Sequence, residues 1–254
     1  SPMSKTIAIV NQTGGVGKTT TAVNLAAYFT KMGRRVLLID IDPQANATSG
    51  SGLLPAELSS GIYEALVGQR SMSDIIVDSP NGYLLAPSTI NLAGASVELV
   101  NLEKREFKLA QAMEPVQADF DYIIIDGPPS LGLLTINSLV AATHLLIPVQ
   151  AEYYALEGLK QLLDTIGLIQ THLKPNLGIL GAVVTMYDQR NRLARAVLKE
   201  VEQFFPNRVF KTVIPRNVRL AEAPSYGRSI VDYDKHSSGS RAYEALAKEI
   251  LALK

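Results

Sequence analysis

A glycine-rich turn stands between a short apolar run and a helix-forming segment near the start of the chain. The apolar run is Ile-Ala-Ile-Val at residues 7–10, and residues 11–20 read Asn-Gln-Thr-Gly-Gly-Val-Gly-Lys-Thr-Thr. In a strand–turn–helix of this kind, backbone N–H groups close around phosphate oxygens, and the helix start adds free N–H groups and a favourable dipole. Lys18 supplies a cation, and the Thr19 hydroxyl is suited to bind Mg²⁺. The segment therefore predicts an α/β fold with a phosphate-binding loop.

The loop departs from the standard phosphate-loop pattern at its first position. That pattern requires a glycine six residues before Lys18, and Gln12 stands there. The residues from Gly14 to Thr19 instead fit the deviant form Lys-Gly-Gly-x-Gly-Lys-Thr, with Thr13 in place of its leading lysine. We expect the nucleotide phosphates to be held by Thr13, Gly14, Gly15, Val16, Gly17, Lys18, Thr19 and Thr20.

Length and composition favour one large globular domain. The chain has 254 residues, of which 47% are hydrophobic, and we predict a single domain over residues 3–254. Ser1 and Pro2 precede Met3 and are interpreted as a remnant of an expression tag. Cysteine is absent, which excludes disulfide and thiol chemistry. With no signal peptide and no apolar run near the ~18 residues of a membrane span, we expect a cytoplasmic protein.

Short apolar runs alternate with helical patterns along the chain. Runs rich in Ile, Val and Leu, typical of parallel strands covered on both faces, occupy residues 6–10, 36–39, 122–125, 144–149, 179–186 and 209–213. Helices are predicted at residues 19–32, 156–172, 192–205 and 242–253. This alternation predicts a doubly wound, mostly parallel sheet flanked by helices. Proline and glycine interrupt residues 50–120, where helices at 62–67 and 104–116 and a strand at 83–86 are predicted.

Two of the predicted strands end in acidic residues. Asp40 and Asp42 stand two positions apart at the end of one strand, and Asp126 follows three isoleucines at the end of another. Side chains at i and i+2 share a face of an extended chain, so both carboxylates of the first pair could point at a nucleotide. An apolar run ending in Asp is the Walker B pattern, whose acid binds Mg²⁺ directly or through water.

Together these motifs resemble those of the ParA/Soj family of chromosome- and plasmid-partitioning ATPases. Besides the phosphate loop, the resemblance rests on residues 40–48, 125–132, 148–158 and 214–225. The last two blocks read Pro-Val-Gln-Ala-Glu-Tyr-Tyr-Ala-Leu-Glu-Gly and Ile-Pro-Arg-Asn-Val-Arg-Leu-Ala-Glu-Ala-Pro-Ser, and they are specific to the chromosomal branch. The phosphate loop alone would also admit MinD, the nitrogenase iron protein and other deviant P-loop ATPases.

The resemblance implies an ATPase cycle on the nucleoid. ATP with Mg²⁺ drives formation of a sandwich homodimer, the dimer binds double-stranded DNA without regard to sequence, and a ParB-type partner stimulates hydrolysis to ADP. Lys18 and Asp42 match the catalytic residues, Lys18 stabilising phosphate charge and Asp42 orienting the attacking water. The metal site is assigned to Thr19, Asp42 and Asp126. Pro215 and Asn217 match the loop that usually holds the adenine.

Thr13 is the departure from the family pattern that bears on function. In the family, the lysine at this position reaches across the dimer to the partner's phosphates. Threonine is short and uncharged and cannot make that contact. Thr13 is either an engineered change or a natural feature that weakens the contact between subunits, and the otherwise intact motifs favour the first. In both cases we expect impaired ATPase activity.

Positive charge is concentrated in the C-terminal part of the chain. Residues 1–180 carry 11 Lys/Arg and 16 Asp/Glu, whereas residues 181–254 carry 13 and 8. No aromatic residues interleave with these arginines, which favours backbone-phosphate contact over base stacking. The resemblance places DNA-contacting arginines here, at Arg190 and Arg219. The alternative is that the arginines of this region pair with surface acids such as Asp188, Glu200 and Glu202.

Other functions remain open at this point. One alternative is a ParA-like ATPase that positions a cargo other than DNA, and another is a nucleotide-dependent regulator that binds a protein and hydrolyses little ATP. Membrane binding is not expected, because residues 243–254 carry two acids and two lysines rather than a basic amphipathic face.

Overall fold

The computed structural model describes residues 4–11 and 16–254. Within them, the strands are β1 (Lys5–Ile9), β2 (Val36–Asp40), β3 (Val77–Asp78), β4 (Leu84–Ala86), β5 (Tyr122–Asp126), β6 (His144–Gln150) and β7 (Gly178–Thr185). They form one sheet in the order β3-β4-β2-β5-β1-β6-β7. Neighbouring strands run parallel except β3 and β4, which pair antiparallel. The predicted mostly parallel, doubly wound sheet is confirmed.

Helices connect the strands and cover the sheet. In the described part of the chain they are α1 (Val16–Lys31), α2 (Asn46–Gly50), α3 (Ile62–Leu66), α4 (Met72–Ile75), α5 (Ala95–Leu99), α6 (Lys108–Met113), α7 (Leu133–Ala141), α8 (Tyr154–His172), α9 (Arg192–Phe204), α10 (Val218–Glu222), α11 (Ile230–Tyr233) and α12 (Ser238–Leu251). Short 3₁₀ helices occupy Pro55–Glu57, Ile90–Gly94, Arg105–Phe107, Gln117–Asp119 and Ala223–Tyr226. None of these helices combines the length and the apolar character needed to cross a membrane.

The apolar strands are buried on both faces because each face packs against its own helices. On β5, Ile123 and Ile125 belong to one hydrophobic cluster, and Ile124 between them belongs to the other. The first cluster is covered by α7, α8 and α9, and the second by α1 and α12. Thr21 on α1 and Tyr243 on α12 join the two helices of the second face through a 2.9 Å hydrogen bond.

Two predicted elements differ from the structure. Residues 209–213 are not a strand. The Phe210 N–H donates to Ala182 of β7, but the N–H groups of Lys211 and Thr212 donate to the carboxylate of Glu249, and the next bond to β7 comes from Ile214. What remains of the pairing is an isolated bridge between Ala182 and Val209. The predicted helix at 104–116 is also wrong at its start, since Lys104 adopts a left-handed φ of 55° and the α-helix begins only at Lys108.

The chain order places a crevice beside β1. From β1 the chain passes through α1 to β2 on one side, whereas β5 leads through α7 to β6 on the other side of β1. In parallel sheets, ligands bind outside the carboxyl ends of the strands where the direction of winding reverses. The carboxyl ends of β1, β2 and β5 therefore define the place to look for a functional site.

Candidate functional site

The first turn of α1 stands at the carboxyl end of β1 and carries Lys18 and Thr19. The N–H groups of a helix's first turn have no partner within the helix and are free to bind an anion. Gly17 lies in this turn, and a Cβ added there would lie 3.4 Å from Thr185 Oγ1, so this turn packs against the end of β7. The predicted loop residues Thr13, Gly14 and Gly15 lie outside the described residues.

Lys18, Thr19 and Asp126 form one buried polar cluster. Lys18 Nζ lies 2.9 Å from Asp126 Oδ1 and also donates to the carbonyl oxygen of Gly127. The Thr19 hydroxyl donates to Asp126 Oδ2 at 2.8 Å. Lys18 is 5% exposed and Asp126 is 0% exposed, so the ion pair is shielded from water. The predicted Walker B acid therefore meets both functional side chains of the phosphate loop.

Asp40 has a structural role, which corrects the expectation that both acids of the pair face a ligand. One of its carboxylate oxygens accepts the Asp42 N–H at 3.0 Å, and the other accepts the N–H and hydroxyl of Thr48 at 2.8 and 2.7 Å. The side chain thus ties β2 to the first turn of α2. Burial, followed by the negative charge of Asp126, raises the pKa of Asp40 to about 7.

Asp42 lies in the same crevice, on a turn that is held by hydrogen bonds to Gln44 and Ser88. Its Oδ1 accepts the N–H of Gln44 at 3.0 Å, and its backbone carbonyl accepts the hydroxyl of Ser88 at 2.7 Å. Burial raises the pKa of Asp42, while the Gln44 N–H and the positive charge of Lys18 oppose that rise. Unlike Asp40, Asp42 keeps one carboxylate oxygen for which no hydrogen bond is found among the described residues.

Two cavities adjoin the start of α1 and share Thr20. The larger, of about 510 Å³, runs between α1, α2 and the segment 223–228. The smaller, of about 70 Å³, is lined by Gly17, Thr185, Pro215 and Asn217 among others. The predicted adenine-loop residues Pro215 and Asn217 therefore lie beside the phosphate loop. The Asn217 side chain also caps α10, since it accepts the Leu220 N–H at 3.1 Å and donates to Ser238 Oγ at 2.8 Å.

The residues around this crevice suit a magnesium nucleotide. A lysine and the N–H groups of a helix's first turn, which have no partner within the helix, match a polyphosphate. A hydroxyl beside carboxylates matches the oxygen ligands of Mg²⁺. The Oγ1 atom of Thr185 is buried close to Gly17 and has no hydrogen-bond partner among the residues that the structure describes. Charge, donors and space therefore fit such a ligand.

The two predicted DNA-contacting arginines are already paired with acids. Arg190 lies 3.1 Å from Asp188, one of the surface acids that the sequence offered as an alternative partner. Arg219 lies 3.3 Å from Glu222 and 3.4 Å from Asp234. Both arginines are exposed, so they remain accessible to a polyanion.

The structure adds a polar junction that the sequence interpretation missed. Asn81 donates to the carbonyls of Ser51 and Gly227 at 3.0 and 3.2 Å and accepts the N–H of Ser229 at 2.9 Å. Gly227, with a φ of 65°, packs so closely on Gly52 that a Cβ would lie 2.6 Å from its Cα. The junction ties α2 to the segment that precedes α11. Asn81 and Gly82 form an Asn-Gly turn dipeptide in the sequence, but that signal does not give the long-range contacts of the Asn81 side chain.

Comparisons with known proteins agree with this geometry. A family model described as an AAA domain matches residues 4–179. The chain is 54% identical over 251 residues to sporulation initiation inhibitor protein Soj of Bacillus subtilis, covering 98% of this chain and 99% of that protein. It is 47% identical over 251 residues to chromosome-partitioning ATPase Soj of Treponema pallidum, with 98% of each covered. A solved structure of cobyrinic acid a,c-diamide synthase from Mycobacterium smegmatis with bound ATP analog and magnesium is similar, with a TM-score of 0.87, 38% identity, and coverage of 98% of this chain and 94% of that one.

Proposed function

This chain belongs to the ParA/Soj family of chromosome-partitioning ATPases, and from that membership we propose that it uses ATP to control its binding to DNA. In this proposal, ATP binding drives a homodimer, the dimer binds double-stranded DNA without sequence preference, and a ParB-type partner stimulates hydrolysis. The observation that carries the proposal is the buried cluster of Lys18, Thr19 and Asp126 at the start of α1, with Asp42 beside it.

We assign the nucleotide to the crevice at the start of α1. Its phosphates would lie against the N–H groups of the first turn and Lys18, and its base would lie near Pro215 and Asn217. Thr19, Asp42 and Asp126 are the oxygen donors available to Mg²⁺. When bound, Mg²⁺ neutralises negative charge on the phosphate oxygens. Binding requires Lys18 to exchange its contact with Asp126 for phosphate oxygens.

Asp42 is the residue we assign to the attacking water. Its carboxylate is held by the Gln44 N–H, so it can accept a hydrogen bond from a water in a fixed direction. Asp40 cannot share this role, because three donors from Asp42 and Thr48 already occupy its oxygens.

Nucleotide binding is tested by comparing two lysines of the same helix. Lys18→Ala is expected to weaken the binding of ATP and Mg²⁺, measured by calorimetry, by about tenfold or more, because a charge-assisted contact to phosphate is lost. Lys31→Ala is the matched control, since Lys31 lies in the last turn of α1 and pairs with exposed Asp232. Equal affinity of the Lys18 variant and the parent would refute the phosphate-loop assignment.

Thr13 determines what this chain can do in the proposed cycle. Without a cation supplied across the interface, the two triphosphates of a sandwich dimer face each other with less compensation. A charge supplied in trans can be worth ~10³–10⁵ in rate. With ATP, the chain should be mainly monomeric, hydrolyse slowly and bind DNA weakly. Thr13→Lys should restore dimerisation, hydrolysis and DNA binding together. A stable dimer of the Thr13 chain, seen by light scattering with ATP and Mg²⁺, would contradict this expectation.

DNA binding is tested through salt and the two arginines. Backbone-phosphate contacts release counterions, so affinity should fall steeply as salt rises. Arg190→Ala and Arg219→Ala should weaken binding to unrelated duplexes alike, while ATP binding is retained. Loss of binding to one sequence alone would contradict a backbone-phosphate interface.

A further inference from the structure

Arg219 is held by two carboxylates at once. It lies on α10, where its Nη1 atom is 3.3 Å from Glu222 Oε2 and its Nε atom is 3.4 Å from Asp234 Oδ2. The guanidinium carbon also lies 6.0 Å from the ring centre of Tyr233. One positive charge therefore faces two negative charges, and the local balance is negative even though Arg219 is 54% exposed.

The carboxylate of Glu222 is positioned by a contact of its own, and that of Asp234 by its place in the chain. The Tyr233 hydroxyl donates to Glu222 Oε2 at 2.7 Å, and the ring of Tyr233 stacks on Tyr226 with 5.3 Å between centres. Asp234 follows directly on α11, so it approaches Arg219 from a different element than Glu222 does. Such fixed geometry distinguishes the cluster from isolated surface ion pairs, which contribute little because both side chains must be ordered.

We propose that Glu222 and Asp234 are built-in counter-ions that compete with DNA phosphates for Arg219 and so limit the affinity of the chain for DNA. The inference rests on the DNA-binding function proposed above. A DNA phosphate can form an ion pair with Arg219 only after the guanidinium leaves its two carboxylates. While the protein's own acids neutralise the guanidinium, it also displaces fewer counterions from DNA. The acids therefore act on affinity without touching DNA.

Arg190 provides a comparison within the same protein. Its partner is the single acid Asp188, two residues away in sequence, and its side chain is 87% exposed. Arg190 is therefore held by one carboxylate of its own loop, whereas Arg219 is held by two carboxylates from separate elements. We expect removal of the acids to matter most at Arg219.

The experiment removes negative charge while keeping side-chain shape. Glu222→Gln retains an oxygen that can accept the Tyr233 hydroxyl, and Asp234→Asn is isosteric. DNA binding is measured by fluorescence anisotropy on two unrelated duplexes with ATP and Mg²⁺, across a range of salt concentrations, both in this chain and with Thr13→Lys. Each substitution should tighten binding about fivefold at about 0.15 M salt. Because both acids act through one arginine, the two substitutions together should steepen the salt dependence by at most about one unit in log–log slope.

Two controls separate a local effect from a change in net charge. Asp121→Asn removes one negative charge and frees Arg35, but that pair lies before the amino ends of β2 and β5, away from α10. It should leave DNA affinity nearly unchanged. Adding Arg219→Ala to Glu222→Gln/Asp234→Asn should abolish the gain. Thermal unfolding of each variant checks that the fold is retained.

The outcomes distinguish this inference from the function on which it rests. If the parent chains bind DNA but the two neutralised variants bind no more tightly, the counter-ion role is wrong and the proposed function stands. A gain that survives Arg219→Ala, or that Asp121→Asn reproduces, likewise overturns it. If no protein of the set binds DNA at low salt with ATP, the proposed function is wrong and this inference falls with it.

Discussion

Lys18→Met is expected to destabilise the nucleotide-free protein by about 3 kcal/mol. Methionine keeps the length of the apolar stem and removes the ammonium group, so the change isolates the charge. The change breaks the 2.9 Å ion pair between Lys18, whose side chain is 5% exposed, and Asp126, whose side chain is 0% exposed. Removing one partner of a buried pair costs about 3–5 kcal/mol, because the other charge stays buried and uncompensated. The Thr19 hydroxyl still donates to Asp126, which places the expected value at the lower end.

The assay is urea and thermal unfolding without nucleotide. For a protein of this size, a loss of about 3 kcal/mol corresponds to a fall of roughly 6–12 °C in Tm. Lys31→Met serves as the control, since Lys31 and Asp232 form an exposed pair at 3.3 Å and such pairs contribute about 0–1 kcal/mol. Combining Lys18→Met with Asp126→Asn should cost less than the sum of the single changes, because the double variant leaves no charge of the pair unpaired.

Equal unfolding free energies for Lys18→Met and the parent would refute the reasoning. That result would mean that Asp126 is adequately compensated without Lys18, and the buried pair would have no energetic role before nucleotide binds. A double variant that loses the full sum of the single changes would also contradict the argument, since it would show that the two charges are not coupled.

Three further predictions concern hydrolysis, pH and the adenine-side loop. With Thr13→Lys present, Asp42→Ala should bind ATP and dimerise yet fail to turn over, and a parental single-turnover rate would assign the water to another residue. Burial, with Lys5 and Arg208 nearby, lowers the pKa of His144 from its usual 6.5. The unfolded chain therefore binds a proton at this residue more readily than the folded protein does, so the folded protein is most stable above pH 6.5 and loses stability as the pH falls through and below that value. His144→Gln should therefore flatten the fall in Tm between about pH 7.5 and about pH 5.5; an unchanged slope would count against it. Glu249→Gln should cost about 1–2 kcal/mol in urea unfolding, because its carboxylate accepts the N–H groups of Lys211 and Thr212, and no loss would show that other contacts hold that segment.

The partners that folding brings to a polar group could not be predicted from local patterns. Asp40 and Asp42 look equivalent in the sequence, and the position of Thr48 in the first turn of α2 makes one of them structural. The apolar residues 209–213 have the composition of a strand, and Glu249 on α12 takes the N–H groups that a strand would use. Both differences come from partners brought in by packing, which overrides local preference.

The sequence by itself determined the strand before the phosphate loop, the helix after it, the doubly wound sheet and the acidic ends of β2 and β5. These features depend on residue type and spacing over a few positions, because backbone geometry and burial are local constraints. The tertiary structure alone decided that Lys18 pairs with Asp126, 108 positions away, and that Asp234 joins Glu222 on Arg219. Charges interact through space, so their balance at a site is set only when packing has brought the separate elements together.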